Sequence, residues 1–297
     1  MAKQKAIVEL LGDWVESYKL LPRYMEILKM KNPGIVVHWD KDTTYTSPSR
    51  EIFNGVFWAF EGFKHCHPVI SIDGTFLYGK YKGAILIAVS VDANNQLFPL
   101  AFSIMDSENN DSWGWFMACI REFVTQRRGL CVISDHHPGI ITTMSQIGSK
   151  WIEPFAYHCF CIRHLASNFN TKFHDKILKH LLVAAANENQ VFKFQRKMET
   201  IGKINPKARK WLDDLPVEKW ALAHDGGKRY GIMTTNLSEV FTSVLKDNSF
   251  GATYFYCVNS YFAIRRQLAV QRSVCGQSFT PFVDGKSLFL WDQGRRS

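Results

Sequence analysis

The spacing of apolar residues along the chain changes character several times, and each change predicts a different kind of element. Near the start, Ile7, Leu10, Leu11, Trp14, Val15 and Tyr18 recur at helical spacing, so residues 1–30 read as helix. Asn32-Pro33-Gly34 breaks that pattern; Ile35–Trp39 then reads as a short strand and Asp40 to Ser49 as a polar turn region. The apolar segment Phe53 to Phe63 reads as a second helix, with Gly62 near its end. From Val69 the pattern becomes strand-like: Val69–Phe76, then Ala84–Asp92, a hairpin turn at Asp92-Ala93-Asn94-Asn95-Gln96, and Leu97–Met105. Trp113, Phe116, Ile120 and Val124 fall in phase on an amphipathic helix capped by Asp111 or Ser112. Leu130–Ser134 is the next strand and Pro138–Ile147 the next helix. Beyond Cys161 the spacing is three and four throughout, over His174–Ala186, Asn189–Ile201 and a helix restarted by Asn205-Pro206. Asn236 opens a further helix through Glu239 and Leu245, and another covers roughly 253–270.

Three strands in a meander, a helix, a strand and a helix match a ribonuclease H-like α/β core, a mixed sheet flanked by helices. The predicted organisation is an N-terminal region at 1–66, the core at 67–160 and an inserted all-helical subdomain at 161–230. Helices completing the core follow at 231–275, and a disordered tail at 276–297. In such a core the first and fourth strands lie side by side.

That neighbourhood gives two acids a shared place. Asp73 closes the run Val69–Ile72 and Asp135 closes Leu130–Ser134. A carboxylate on a buried strand end costs desolvation energy unless a cation sits beside it. Two brought together repel, which points to a divalent metal ion. Taken singly, Asp73 reads equally well as a turn residue and Asp135 as an N-cap; the matching positions favour the metal reading. Glu239 is the candidate third acid, although Asn236-x-x-Glu239 also has capping-box spacing. Asp92, Asp106, Glu108 and Asp111 rank lower, because hairpin and loop ends explain them without chemistry. Cys161 and His164 stand one helical turn apart, with His158 close by, and form a candidate Zn²⁺ or structural cluster.

Charge adds a partner. The chain of 297 residues has 36 Lys and Arg against 27 Asp and Glu, a net charge of +9, which favours a polyanion such as nucleic acid. The candidate phosphate-backbone contacts are Lys80, Lys82, Arg127, Arg128, Lys207, Arg209 and Lys210. No export signal is read at the start, and Gly83 to Val91 is too short to span a bilayer. Seven cysteines in that setting fit reduced thiols in the cytosol or nucleus better than a disulfide framework.

Several of these stretches together resemble the transposases of plant Mutator-like elements and the FAR-RED-impaired-type proteins derived from them. They are Asp73-Gly74-Thr75 with Tyr78-Gly79-Lys80-Tyr81-Lys82-Gly83, and Asp92-Ala93-Asn94-Asn95-Gln96 leading to Pro99-Leu100-Ala101-Phe102. Glu108, Ser112-Trp113-x-Trp115-Phe116, Ile133-Ser134-Asp135 and Cys161-x-x-His164-Leu165 continue the match. The resemblance implies DDE chemistry on Asp73, Asp135 and Glu239 with two Mg²⁺ or Mn²⁺ ions, and strand cleavage and transfer on DNA in the nucleus. It also implies a Cys-x-x-His element at Cys161 and His164. Phe76 stands where the family usually has histidine, and His136-His137 where it has arginine and histidine. Neither an N-terminal zinc module nor a SWIM-type finger is read, so the expectation is a catalytic core. The alternative from a different class is a non-catalytic, domesticated or truncated DNA-binding or transcription-regulating protein; a homo-oligomer suits either.

Overall fold

The computed structural model describes residues 14–47, 50–77, 83–94 and 96–235. Glu239, the helices expected from 236 onward, the tail at 276–297, and Lys80 and Lys82 lie outside the described residues.

The described chain begins with α1 (Trp14–Lys31) and the hairpin β1 (Val36–Ser47) and β2 (Arg50–Ala59). The strands β3 (Val69–Leu77), β4 (Gly83–Val91) and β5 (Leu97–Met105) follow. Next come α2 (Asn110–Cys119), a π-helical turn (Ile120–Val124), β6 (Leu130–Ser134), α3 (Pro138–Ser145) and β7 (Ala156–Phe160). These strands form one seven-stranded mixed sheet in the order β1-β2-β5-β4-β3-β6-β7, flanked by helices. Every residue of β4 is buried, as suits a strand in mid-sheet covered on both faces. Asp92 closes the β4–β5 turn: its Oδ1 accepts from Asn94 N–H at 2.9 Å and Gln96 N–H at 2.8 Å. β3 runs antiparallel to β4 and parallel to β6, and β7 adds on parallel to β6.

The two faces of the sheet carry separate cores. Phe57, Ile70, Ile72, Leu86, Trp113, Phe116 and Val132 pack on one side, and Leu21, Met25, Val56, Trp58, Ile87 and Phe102 on the other. This explains the first departure from the sequence reading: the segment read as a helix over Phe53–Phe63 is strand β2 for most of its length. Val56, Trp58 and Phe60 enter one core while Phe57, Ala59 and Phe63 enter the other. A strand buried on both faces has no polar alternation to betray it. The polar stretch from Asp40 to Ser47, read as a turn, is likewise the far half of β1. β7 was not anticipated either, because its five residues include the half-buried Tyr157 and His158.

Helix α2 is capped by Asn109 instead of Asp111 or Ser112. The Asn109 side chain accepts from Ser112 N–H at 2.9 Å, and Ser112 Oγ accepts from Asn109 N–H at 2.9 Å, a reciprocal capping box. From Ile162 to His224 every regular element is helical: α4 (Ile162–Phe173), α5 (Lys176–Ala186), α6 (Val191–Ile204), α7 (Pro206–Asp213) and two short 3₁₀ turns. They share their own core of Phe169, Leu182, Phe194, Leu212 and Trp220, joined by Phe160 at the end of β7. Asp175 and Asn205 cap α5 and α7 through side-chain oxygens, as their residue types lead one to expect. Among the described residues no helix is long and apolar enough to cross a membrane.

Candidate functional site

Parallel pairing of β3 with β6 brings the two aspartates to one end of the sheet. The last paired residues are Ser71 and Ile133, 62 positions apart, and the same offset separates Asp73 from Asp135. Side chains alternate along a strand. Val69, Cys131 and Ile133 lie in one apolar cluster, so the register places Asp73 and Asp135 on that same face. Asp73 is 9% exposed, and its Oδ1 accepts from Gly74 N–H at 3.1 Å. Asp135 is half-buried just past the end of β6, and its Oδ1 accepts from His137 N–H at 3.0 Å. Asp73, midway along β3 where its pairing with β6 has ended, and Asp135, just past β6, thus present two carboxylates, hard oxygen donors of the kind Mg²⁺ and Mn²⁺ take.

A further acid arrives from the opposite face. Glu108, immediately before the α2 cap, has a side chain only 9% exposed. Its Oε1 accepts from Trp113 Nε1–H at 3.2 Å and lies 3.8 Å from His137 Nε2. It also sits directly over Gly74, where an added Cβ would come within 2.5 Å of that oxygen. Burial raises the Glu108 carboxyl above its ordinary range and the Asp135 charge adds to the rise, against the pull of His137 and Trp113. Sequence reasoning ranked Glu108 with the loop acids. Of those, Asp92 closes a turn and Asp106 and Asp111 are exposed, whereas Glu108 is packed over Gly74 and feels the Asp135 charge. The signal that could have singled it out is the paired occurrence of Gly74 after the first acid and Trp113 five residues after Glu108. Among the described residues no group of three or more His, Cys, Asp or Glu is gathered to hold a metal ion. The third candidate acid, Glu239, lies outside the described residues.

Cys161 and His164 do meet. Burial alone would raise the Cys161 thiol, but hydrogen bonds with His164 and Thr235 bring it below its ordinary value. Its Sγ accepts from Thr235 N–H at 3.3 Å and Thr235 Oγ1 at 3.2 Å, tying the start of α4 to the end of the described chain. His158 alternates with Cys159 along β7, and its Nε2 lies 2.8 Å from Ser134 Oγ.

Desolvation, reinforced by Lys219, His136 and Arg229, pushes His158 down to about 3. The unfolded chain takes up this proton below its ordinary value near 6.5 while the folded chain does not. Stability is therefore greatest above that value and falls as pH drops from about 6.5 towards 3. Between pH 7 and 5 wild type is expected to lose on the order of 2 kcal/mol more than His158→Gln, whose amide can still reach Ser134. Urea unfolding at the two pH values measures it, and equal losses would refute the buried neutral imidazole.

The basic candidates divide. Arg127 and Arg128 are exposed on the loop that enters β6, at the opposite end of that strand from Asp135. Arg128 stacks over the Phe155 ring at 4.7 Å. Arg209 and Lys210 are engaged with Asp213 and Asp214 one turn along, at 2.8 Å and 3.0 Å, whereas Lys207 is exposed.

Residues 69–168 match the family model of the MULE transposase domain. The span runs from the first residue of β3 into α4 and holds Asp73, Glu108, Asp135, His158, Cys161 and His164. It supports a relationship to the Mutator-like transposase family. No curated protein matches the chain.

Proposed function

We propose that the chain is a DDE-type transposase core of ribonuclease H-like fold, which cuts DNA strands and joins them to target DNA using Mg²⁺ or Mn²⁺. The observation that carries this reading is the placement of Asp73 and Asp135 at equal offsets beyond the last paired residues of two adjacent parallel strands, inside the stretch similar to a transposase domain. The β3-β4-β5 meander with β6 parallel to β3 supports the fold. Asp73 and Asp135 would hold the ions, with Glu239 as the third carboxylate. Bound there, the ions supply Lewis acidity at the scissile phosphate and lower the pKa of an attacking water. The protein's part is to fix the two carboxylates through the β3–β6 ladder and through the backbone donors of Gly74 and His137.

Exposed Arg127, Arg128 and Lys207 are the available phosphate contacts, together with Lys80 and Lys82; the ion pairs of Arg209 and Lys210 leave those two less free. Cys161 and His164 supply two of the four donors that a structural Zn²⁺ takes. Cutting two element ends suits a homo-oligomer, and a DNA substrate suits the nucleus. The plant and FAR-RED-impaired-type affinities belong to this same reading.

Mn²⁺-dependent nicking of a labelled duplex by the purified chain tests it, beside Asp73→Ala and Asp135→Ala. Nicking that EDTA abolishes and both variants lack is the expected result. Nicking that survives in either variant overturns the assignment. A folded wild-type chain that binds DNA without cutting it favours the domesticated, non-catalytic reading.

A further inference from the structure

We infer that Glu108 is a positioning residue of this site: it holds the His137 ring, and through His137 it aims the Asp135 carboxylate. The inference rests on the transposase reading, which gives Asp135 its task.

His137 touches three things at once. Its backbone N–H donates to Asp135 Oδ1 at 3.0 Å, and its Nδ1 accepts from Gly139 N–H at 3.1 Å. Because Nδ1 is an acceptor, the neutral ring carries its proton on Nε2, the nitrogen that faces Glu108 Oε1 at 3.8 Å. The ring cannot turn without losing the Gly139 cap, and the backbone cannot shift without releasing Asp135. Glu108 is itself held by Trp113 Nε1–H at 3.2 Å. One oxygen, Oε1, both accepts from Trp113 and faces the His137 N–H; an amide oxygen set there could still accept from Trp113, but it lacks the negative charge that draws the His137 ring across 3.8 Å.

Two glycines preserve this geometry. A Cβ on Gly74 would lie 2.5 Å from Glu108 Oε1, so the residue after Asp73 must lack one for the carboxylate to stay. A Cβ on Gly139 would meet Asn109 O and Trp113 Cδ1, both at 2.9 Å, so the start of α3 is wedged against the start of α2. Glu108 therefore lies between the middle of β3 and the loop leaving β6, the two segments whose relative placement sets the spacing of Asp73 and Asp135. Supporting partners of metal ligands act in this way, without touching the ion.

The test is Mn²⁺ affinity, read by the electron paramagnetic resonance signal of free Mn²⁺, with melting temperature recorded in parallel. Glu108→Gln is expected to weaken binding by roughly 10- to 100-fold, the usual cost of losing an outer-shell partner. Gly74→Ala, which displaces the carboxylate without altering it, is expected to weaken binding in the same direction. In a His137→Gln background, Glu108→Gln should add less than about a twofold further loss, because the path it works through is already broken. Additive losses would overturn the inference, as would an unchanged affinity accompanied only by a lower melting temperature. Asp73→Ala separates the two levels. If it binds Mn²⁺ like wild type, the transposase reading fails and takes this role with it. If it loses binding while Glu108→Gln does not, the role of Glu108 alone is wrong.

Discussion

Asp73→Asn is expected to cut Mn²⁺-dependent nicking at least about a hundredfold, in line with the loss of one preorganised electrostatic group in other active sites. DNA binding should at the same time stay as tight as in wild type or become tighter. The substitution keeps the shape of a side chain only 9% exposed, and the amide oxygen can still accept from Gly74 N–H. What disappears is the negative charge. That charge attracts the divalent cation and also repels the DNA phosphates, so chemistry and affinity should move in opposite directions. A single-turnover nicking assay and a gel shift at fixed salt read the two separately. Nicking within tenfold of wild type, or affinity lost in step with activity, would show that Asp73 serves the fold or the DNA contact.

The second large effect concerns stability. Trp113 is fully buried in the core beneath α2, packs edge-on against Phe116 at 5.9 Å and donates to Glu108. Trp113→Ala is expected to cost about 3–5 kcal/mol through the cavity it leaves. This is a large share of the roughly 5–15 kcal/mol that holds a typical domain together. Trp113→Phe retains a ring but withdraws the donor from a buried carboxylate, and should cost about 1–3 kcal/mol. Urea titrations of both variants resolve these values. A loss below about 1 kcal/mol for alanine would mean that the α2–α3 contact can close over the gap, and that Trp113 does not wedge Glu108 in place.

The two candidate aspartates stood out in the sequence because each ends a short apolar run; Asp135 does follow the last residue of β6, whereas β3 runs on past Asp73 to Leu77. Leu97–Met105 and Leu130–Ser134 were readable to the residue for a related reason: a turn or loop of polar residues bounds them on each side. β2 was misread because Phe57 and Trp58 serve opposite cores, which erases the alternation that distinguishes a strand from a buried helix. Glu108 was undervalued because nothing local distinguishes it from Asp106 or Asp111. Its burial comes from Gly74, Trp113 and His137, which belong to three separate segments. His158 illustrates the converse. Proximity in sequence suggested a shared cluster with Cys161 and His164; in the fold its Nε2 also engages Ser134 Oγ at the end of β6, a contact no local pattern announced.

By itself, then, the sequence determined the mixed α/β class, the meander, the run of helices after β7 and two acids that each close an apolar run. All of these follow from patterns within about ten residues, where side-chain period and turn chemistry act. The strand order led one to expect β3 beside β6, and only the tertiary structure decided their register, Ser71 opposite Ile133. It also decided that a glycine on one strand leaves room for a glutamate from another segment. Such pairings depend on which surfaces bury one another across the sheet, and no single stretch of chain carries that information.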